Sequence, residues 1–157
     1  MTEVPVVRHE VVVRGTPEKA FAAFTERMSD IKPKEHNLLS SPIVSTIFEP
    51  RVGGYIFDRA EDGSECRWAR VLTYEPPERV VFSWDIGPTW QLEQPENASE
   101  VEVRFIPVGN DRTRVQLEHR HLDRHGPGWP SVRAGVDDPQ GWPLYLARYA
   151  DLLKAAA

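Results

Sequence analysis

The chain has 157 residues, 40% of them hydrophobic and 27% charged, with a formal net charge of −5. Those totals fit one globular domain with a real core and exclude the basic face of a nucleic-acid binder. No apolar run approaches the ~20 residues a membrane span needs, the N-terminal MTEVPVVRHE has no secretory signal pattern, and the lone Cys66 can make no internal disulfide. The expectation is a single cytoplasmic domain over residues 1–157.

Val6 to Arg14 alternates loosely and is rich in Val, which predicts a first strand with Val7, His9, Val11 and Val13 on one face. Gly15 breaks it. Thr16-Pro17-Glu18 then supplies a hydroxyl cap, a Pro in the first turn and an acid, so a helix runs from Pro17 to about Arg27 with Phe21, Phe24 and Met28 on one stripe. Residues 29–41 have no clean period, and Pro33 and Pro42 limit them to a loop or one helical turn. Strands follow at Ile43–Glu49, Tyr55–Arg59, Cys66–Tyr74 and Arg79–Ile86, separated by turns rich in Gly, Pro and acids. The facing of the Cys66–Tyr74 strand is ambiguous, because Trp68, Arg70 and Leu72 oppose Ala69, Val71 and Thr73 and both sets are mixed.

Gly87 to Ser99 reads as a long exposed loop with Trp90 at a rim. Glu100 to Pro107 alternates strictly, with Val101, Val103 and Phe105 inward. Glu102, Arg104 and Glu118 of these last strands read as a solvated cross-strand charge face. Arg112 to His121 alternates again, with Thr113, Val115, Leu117, His119 and His121 on one face. Arg124 to Gln140 is rich in Gly and Pro and is expected to be irregular, with one helical turn near Ser131 to Ala134. Trp142, Tyr145, Leu146, Tyr149, Leu152 and Leu153 then form one stripe of a last helix, Trp142 to Lys154, with Gly141 and Pro143 at its start. Strands joined by short turns must be antiparallel neighbours, and a twisted antiparallel sheet of six or seven strands curls around one helix. The fold class is therefore α+β.

Several stretches resemble one family. They are Gly53-Gly54-Tyr55, Trp68-Ala69-Arg70-Val71-Leu72, Glu75-Pro76-Pro77-Glu78 leading into Phe82-Ser83-Trp84, Thr113 to His119, and Gly141-Trp142 before the last helix. Their order over nearly the whole chain resembles the AHSA-type family, named for the activator of the heat-shock-protein ATPase. That family lies in the START-like, Bet v 1-like or polyketide-cyclase (SRPBCC) superfamily. The resemblance implies a helix-grip fold: a curved antiparallel sheet gripping the C-terminal helix, with an internal cavity that binds lipophilic small molecules. Relatives of this type often carry tryptophans before Pro-x-x-His, whereas this chain has Ile31-Lys32-Pro33-Lys34-Glu35-His36, which implies a more polar lid.

The expected ligand-binding residues are Trp84, Phe105, Leu117, His119, His121, Trp142, Tyr145 and Tyr149, all on inward faces. His119 and His121, two apart on a strand, carry side chains about 7 Å apart on one face and are either hydrogen-bond donors to a ligand carbonyl, a general base near neutral pH, or ordinary core and strand-end residues. His119, His121 and His125 lack a carboxylate or cysteine at matching spacing, so no metal is expected, and Cys66 reads as a passive thiol. No cofactor is expected. The favoured function is binding of a hydrophobic or aromatic small molecule, with a histidine-using cyclase or hydrolase and a chaperone-associated interaction domain as alternatives. Neither nucleic acid nor membrane is an expected partner, and pairing into a homodimer stays open.

Overall fold

A computed structural model describes residues 6–155; residues 1–5 of the stretch read for a signal lie outside the described part. The first strand, β1 (Val7–Arg14), leads through α1 (Pro17–Glu26) and the single turn α2 (Met28–Ile31) to β2 (Ile43–Phe48). A meander of β3 (Tyr55–Ala60), β4 (Glu65–Glu75), β5 (Arg79–Trp84), β6 (Ser99–Pro107) and β7 (Arg112–Arg120) follows. The chain closes with a 3₁₀ turn (Leu122–His125), α3 (Trp129–Asp137) and α4 (Trp142–Ala155).

All neighbours in the sheet are antiparallel and their order is β1-β7-β6-β5-β4-β3-β2. The two strands that flank α1 and α2 are thus the opposite edges of the sheet. The pair of helices spans from one edge to the other, and α4 lies with them in the curl. This is the helix-grip fold.

Local chemistry explains the helix starts. The Thr16 side chain accepts a hydrogen bond from the Lys19 amide, and Pro17 occupies a first-turn position where its missing N–H costs nothing. At α4, a Cβ on Gly141 would lie 2.3 Å from the Val136 carbonyl oxygen, so only glycine lets α3 and α4 meet this closely.

Two sequence expectations are corrected and one ambiguity is resolved. The Gly- and Pro-rich stretch after β7 holds a nine-residue helix, because Pro130 sits in its first turn and Val132 and Val136, one turn apart, bury a stripe. Glu102 is no solvated charge: its side chain is 5% exposed and accepts hydrogen bonds from Arg79 Nη1 at 2.7 Å, Arg104 Nε at 2.8 Å and Arg120 Nη1 at 2.5 Å. Burial pushes its carboxyl up, and the hydrogen bonds from Arg79, Arg120 and Arg104 outweigh that and hold it at about 2. The ambiguous strand β4 changes facing midway, because a register shift between Ile56 and Phe57 of its partner leaves Trp68 without an opposite residue. Cys66 and Trp68 face in before the shift, and Ala69 and Val71 face in after it.

The core has two ends. At one, Phe21, Phe24, Phe105 and Tyr149 meet edge to face at centroid distances of 5.0 to 5.9 Å, and the Tyr149 hydroxyl donates to the Ala20 carbonyl. At the other, tryptophans meet the first turns of α4, and there the packing opens.

Candidate functional site

A cavity of about 380 Å³ lies at the N-terminal end of α4, inside the usual range of ~300–1,000 Å³ for small-molecule sites. Its aromatic wall is Trp68 from β4, Trp84 at the end of β5, and Trp142 and Tyr145 from α4. Trp68 and Trp84 stand 5.6 Å apart, Trp84 and Trp142 5.3 Å, and Trp142 and Tyr145 5.1 Å, each pair edge to face. Trp90 of the β5–β6 loop forms part of the mouth, half exposed and at a positive φ of 58°. A Cβ on Gly135 of α3 would lie 2.7 Å from the Trp90 ring, so the indole rests directly on the bare helix backbone.

The polar part of the wall comes from three segments. Lys32, His36 and Asn37 follow α2, Asp58 sits on β3, and Asp138 and Gln140 flank the mouth between α3 and α4. Lys32 and Asp58 are 4% and 2% exposed and form an ion pair of 3.0 Å. Thr46 Oγ1 donates to the other Asp58 oxygen at 2.7 Å, and Lys32 also donates to the His36 carbonyl. The ammonium lies 5.9 Å from the Trp68 ring centroid, within cation–π range. A buried pair of this kind adds little net stability. His36 Nδ1 is 3.3 Å from the Tyr145 hydroxyl. Burial, and then the Lys32 charge, pull the His36 pKa below its usual value. Burial pushes the Tyr145 phenol well up, so it keeps its proton. Burial also raises the Cys66 thiol to about 11, which makes it a poor nucleophile.

Two donors in this wall are orphaned. The indole N–H groups of Trp68 and Trp84 are buried and have no hydrogen-bond partner among the described residues, an arrangement that costs ~1–3 kcal/mol per group.

Of the eight residues expected to line the site, Trp84, Trp142 and Tyr145 do so. Phe105 and Tyr149 belong to the packed end of the core, and Leu117 is buried in the sheet away from the opening. His121 follows β7 in a left-handed conformation with φ 60° and faces solvent. His119 lies behind the wall, fully buried. Trp142 Nε1 donates to His119 Nδ1 at 3.1 Å, so the imidazole hydrogen sits on Nε2 and reaches Ser99 Oγ at 2.7 Å. The Ser99 hydrogen is then free for His125 Nε2 at 2.7 Å, and His125 Nδ1–H donates to Glu93 at 2.7 Å. This one-way chain fixes the Trp142 ring from behind. Burial, aided by His125, holds His119 at about 3, so it stays neutral.

Sequence reasoning missed Lys32, His36 and Asp58. The signal was present in the Ile31–His36 run, where charged residues stand in place of the tryptophans that its relatives often carry. Among the described residues no cluster of three or more His, Cys, Asp or Glu side chains is arranged to hold a metal, and no helix is long and apolar enough to cross a membrane.

Comparison with known proteins agrees with this fold. The family described as Activator of Hsp90 ATPase homolog 1-like protein matches residues 14–154. No curated protein matches the chain. Among solved structures, Txn09, an anthrahydroquino-gamma-pyrone synthase complexed with a compound designated SUM, is 40% identical with a TM-score of 0.66, over 96% of this chain and 97% of its own. CalC, a self-sacrificing resistance protein from Micromonospora echinospora, is 28% identical with a TM-score of 0.71, over 98% and 96%. Protein MLL2253 from Mesorhizobium loti, at 20% identity and a TM-score of 0.69 over 98% and 99%, shares the fold.

Proposed function

This chain belongs to the Activator of Hsp90 ATPase homolog 1-like family of the START-like superfamily, and from that premise we propose that it binds a planar aromatic molecule bearing carbonyl or phenolic oxygens in the cavity beside α4. The observation that carries the reading is the wall itself, with four indoles and a phenol around about 380 Å³. Flat edges and faces of that kind suit a fused-ring ligand better than a flexible lipid chain. The oxygens are argued from the donors. Lys32 brings an ammonium and Tyr145 a hydroxyl, while the buried carboxylate of the wall, Asp58, is already engaged by Lys32 and Thr46. A ligand that supplies acceptors takes up those donors; a pure hydrocarbon does not. The 40% identical synthase, whose own name denotes an oxygenated fused-ring product, supports the same class. The interaction-domain alternative draws on the family description alone.

The test is dye displacement. An anilinonaphthalene sulfonate dye should bind the native protein saturably, with micromolar-scale affinity. Anthraquinone-2-sulfonate should displace it and octyl sulfonate, of equal charge, should not. Equal displacement by both compounds, or no saturable dye binding, contradicts the proposal.

A further inference from the structure

We propose that the cavity also catalyses proton transfer, with His36 as the base toward a carbon acid bound there and Lys32 and Tyr145 as partners for the oxygen that becomes negative. This rests on the binding reading above and goes beyond it, from holding an aromatic ketone to enolising one.

Position comes first. His36 is the histidine that lines the cavity among the described residues. His119 and His125 spend both ring nitrogens on the buried chain behind the wall, His9 is bonded to Asp137 on the far side of α3, and His121 faces solvent. His36 uses only Nδ1. With Nδ1–H donating to the Tyr145 oxygen, Nε2 keeps its lone pair and has no partner among the described residues. The same tautomer leaves the Tyr145 hydrogen free to donate to a ligand oxygen. Lys32 is anchored by the His36 carbonyl at 2.5 Å and Asp58 at 3.0 Å, which occupy two of its three hydrogens. A base, a hydroxyl donor and an ammonium therefore share one wall.

The step balances within the site. The proton on the carbon next to a ligand carbonyl passes to His36 Nε2. The C–H electron pair enters the enolate, and its charge settles on the carbonyl oxygen beside Lys32 and the Tyr145 hydroxyl. The imidazolium then returns the proton to a different atom of the same molecule, giving an isomerised or ring-closed product with no oxidant or reductant. The charged and titratable groups around His36 are Lys32 and Glu35 on its own segment, Arg148 and Tyr145 on α4, and Asp58 on β3 behind Lys32. Burial, then the Lys32 and Arg148 charges against that of Glu35, pull the His36 pKa below the ordinary histidine value, which favours the neutral ring that can accept a proton.

The probe is 5-nitrobenzisoxazole, a flat bicycle whose C–H proton is removed as its N–O bond breaks to give a coloured phenolate. The parent protein should show saturable turnover whose kcat/KM rises with pH through one group titrating below the ordinary histidine value of ~6.5. His36→Gln should lower it about 100-fold, the low end of general-base effects, with dye binding kept. Tyr145→Phe and Lys32→Met should each lower it, and Lys32→Met, which removes a charge that pulls the His36 pKa down, should also move the inflection to higher pH. Turnover in His36→Gln equal to the parent overturns the proposal. So does a parent profile without that inflection, a readout that needs no variant to fold. Dye binding without any turnover removes the catalysis and leaves the binding reading standing, whereas absence of both removes the two together.

Discussion

His119 shows how a residue can look functional and act through another. It sits where a ligand-facing histidine was expected, yet both of its nitrogens are used and Trp142 stands between it and the cavity. Its pH behaviour follows from burial. The folded-state pKa of about 3 lies below the unfolded value of 6.5, so the folded chain binds this proton less readily than the unfolded one. The stability it confers is complete above pH 6.5 and is lost as the pH falls toward 3, at up to ~1.4 kcal/mol per unit. His36, also lowered, adds to the slope in the same sense. Urea unfolding at pH 7, 6 and 5 should therefore give falling midpoints, with a shallower fall in His119→Gln. Identical slopes for parent and variant would show that His119 is not buried as described.

At the scale of elements, α4 divides its stripe between two tasks. Trp142 and Tyr145 wall the cavity, and Tyr149, one turn further on, fills the solid core against Phe24. Tyr149→Ala and Phe105→Ala should each cost roughly 3–5 kcal/mol in denaturant unfolding, the scale for deleting a buried aromatic, and neither should abolish dye binding. An unchanged midpoint in either would mean that the packed end is not packed. The helix-grip architecture and the inward faces of β6, β7 and α4 were legible in the sequence, because periods of 2 and 3.6 report which face of an element is apolar. Those periods say nothing of depth along the helix, so Phe105, Leu117 and Tyr149 were assigned to the cavity along with Trp84, Trp142 and Tyr145. The polar wall was less legible still. Lys32 and His36 lie in a stretch without a period, and Asp58, between Phe57 and Arg59 in a mixed strand, shows no partner until the fold brings Lys32 to it. Glu102 is the converse case. It follows the outward alternation, and only the convergence of Arg79 from β5, Arg120 from β7 and Arg104 of its own strand buries it.

For the whole molecule, the long route from β1 to β2 is what makes a cavity. It carries α1, α2 and the Lys32–Asn37 segment across the curl from one sheet edge to the other, while α3 and the Trp90 loop cover the mouth. The remaining opening is aromatic on one side and carries Lys32 and His36 on the other, which is the basis for assigning it an oxygenated aromatic ligand. Four tryptophans report directly on that space. The most direct measurement is therefore a tryptophan-fluorescence titration with anthraquinone-2-sulfonate, run in parallel on the parent and on Gly135→Leu, whose new side chain meets the Trp90 ring at the mouth. The account predicts saturable one-to-one quenching in the parent and at least tenfold weaker binding in the variant with the fold retained. Quenching that never saturates, or equal affinity in a folded Gly135→Leu protein, would contradict it.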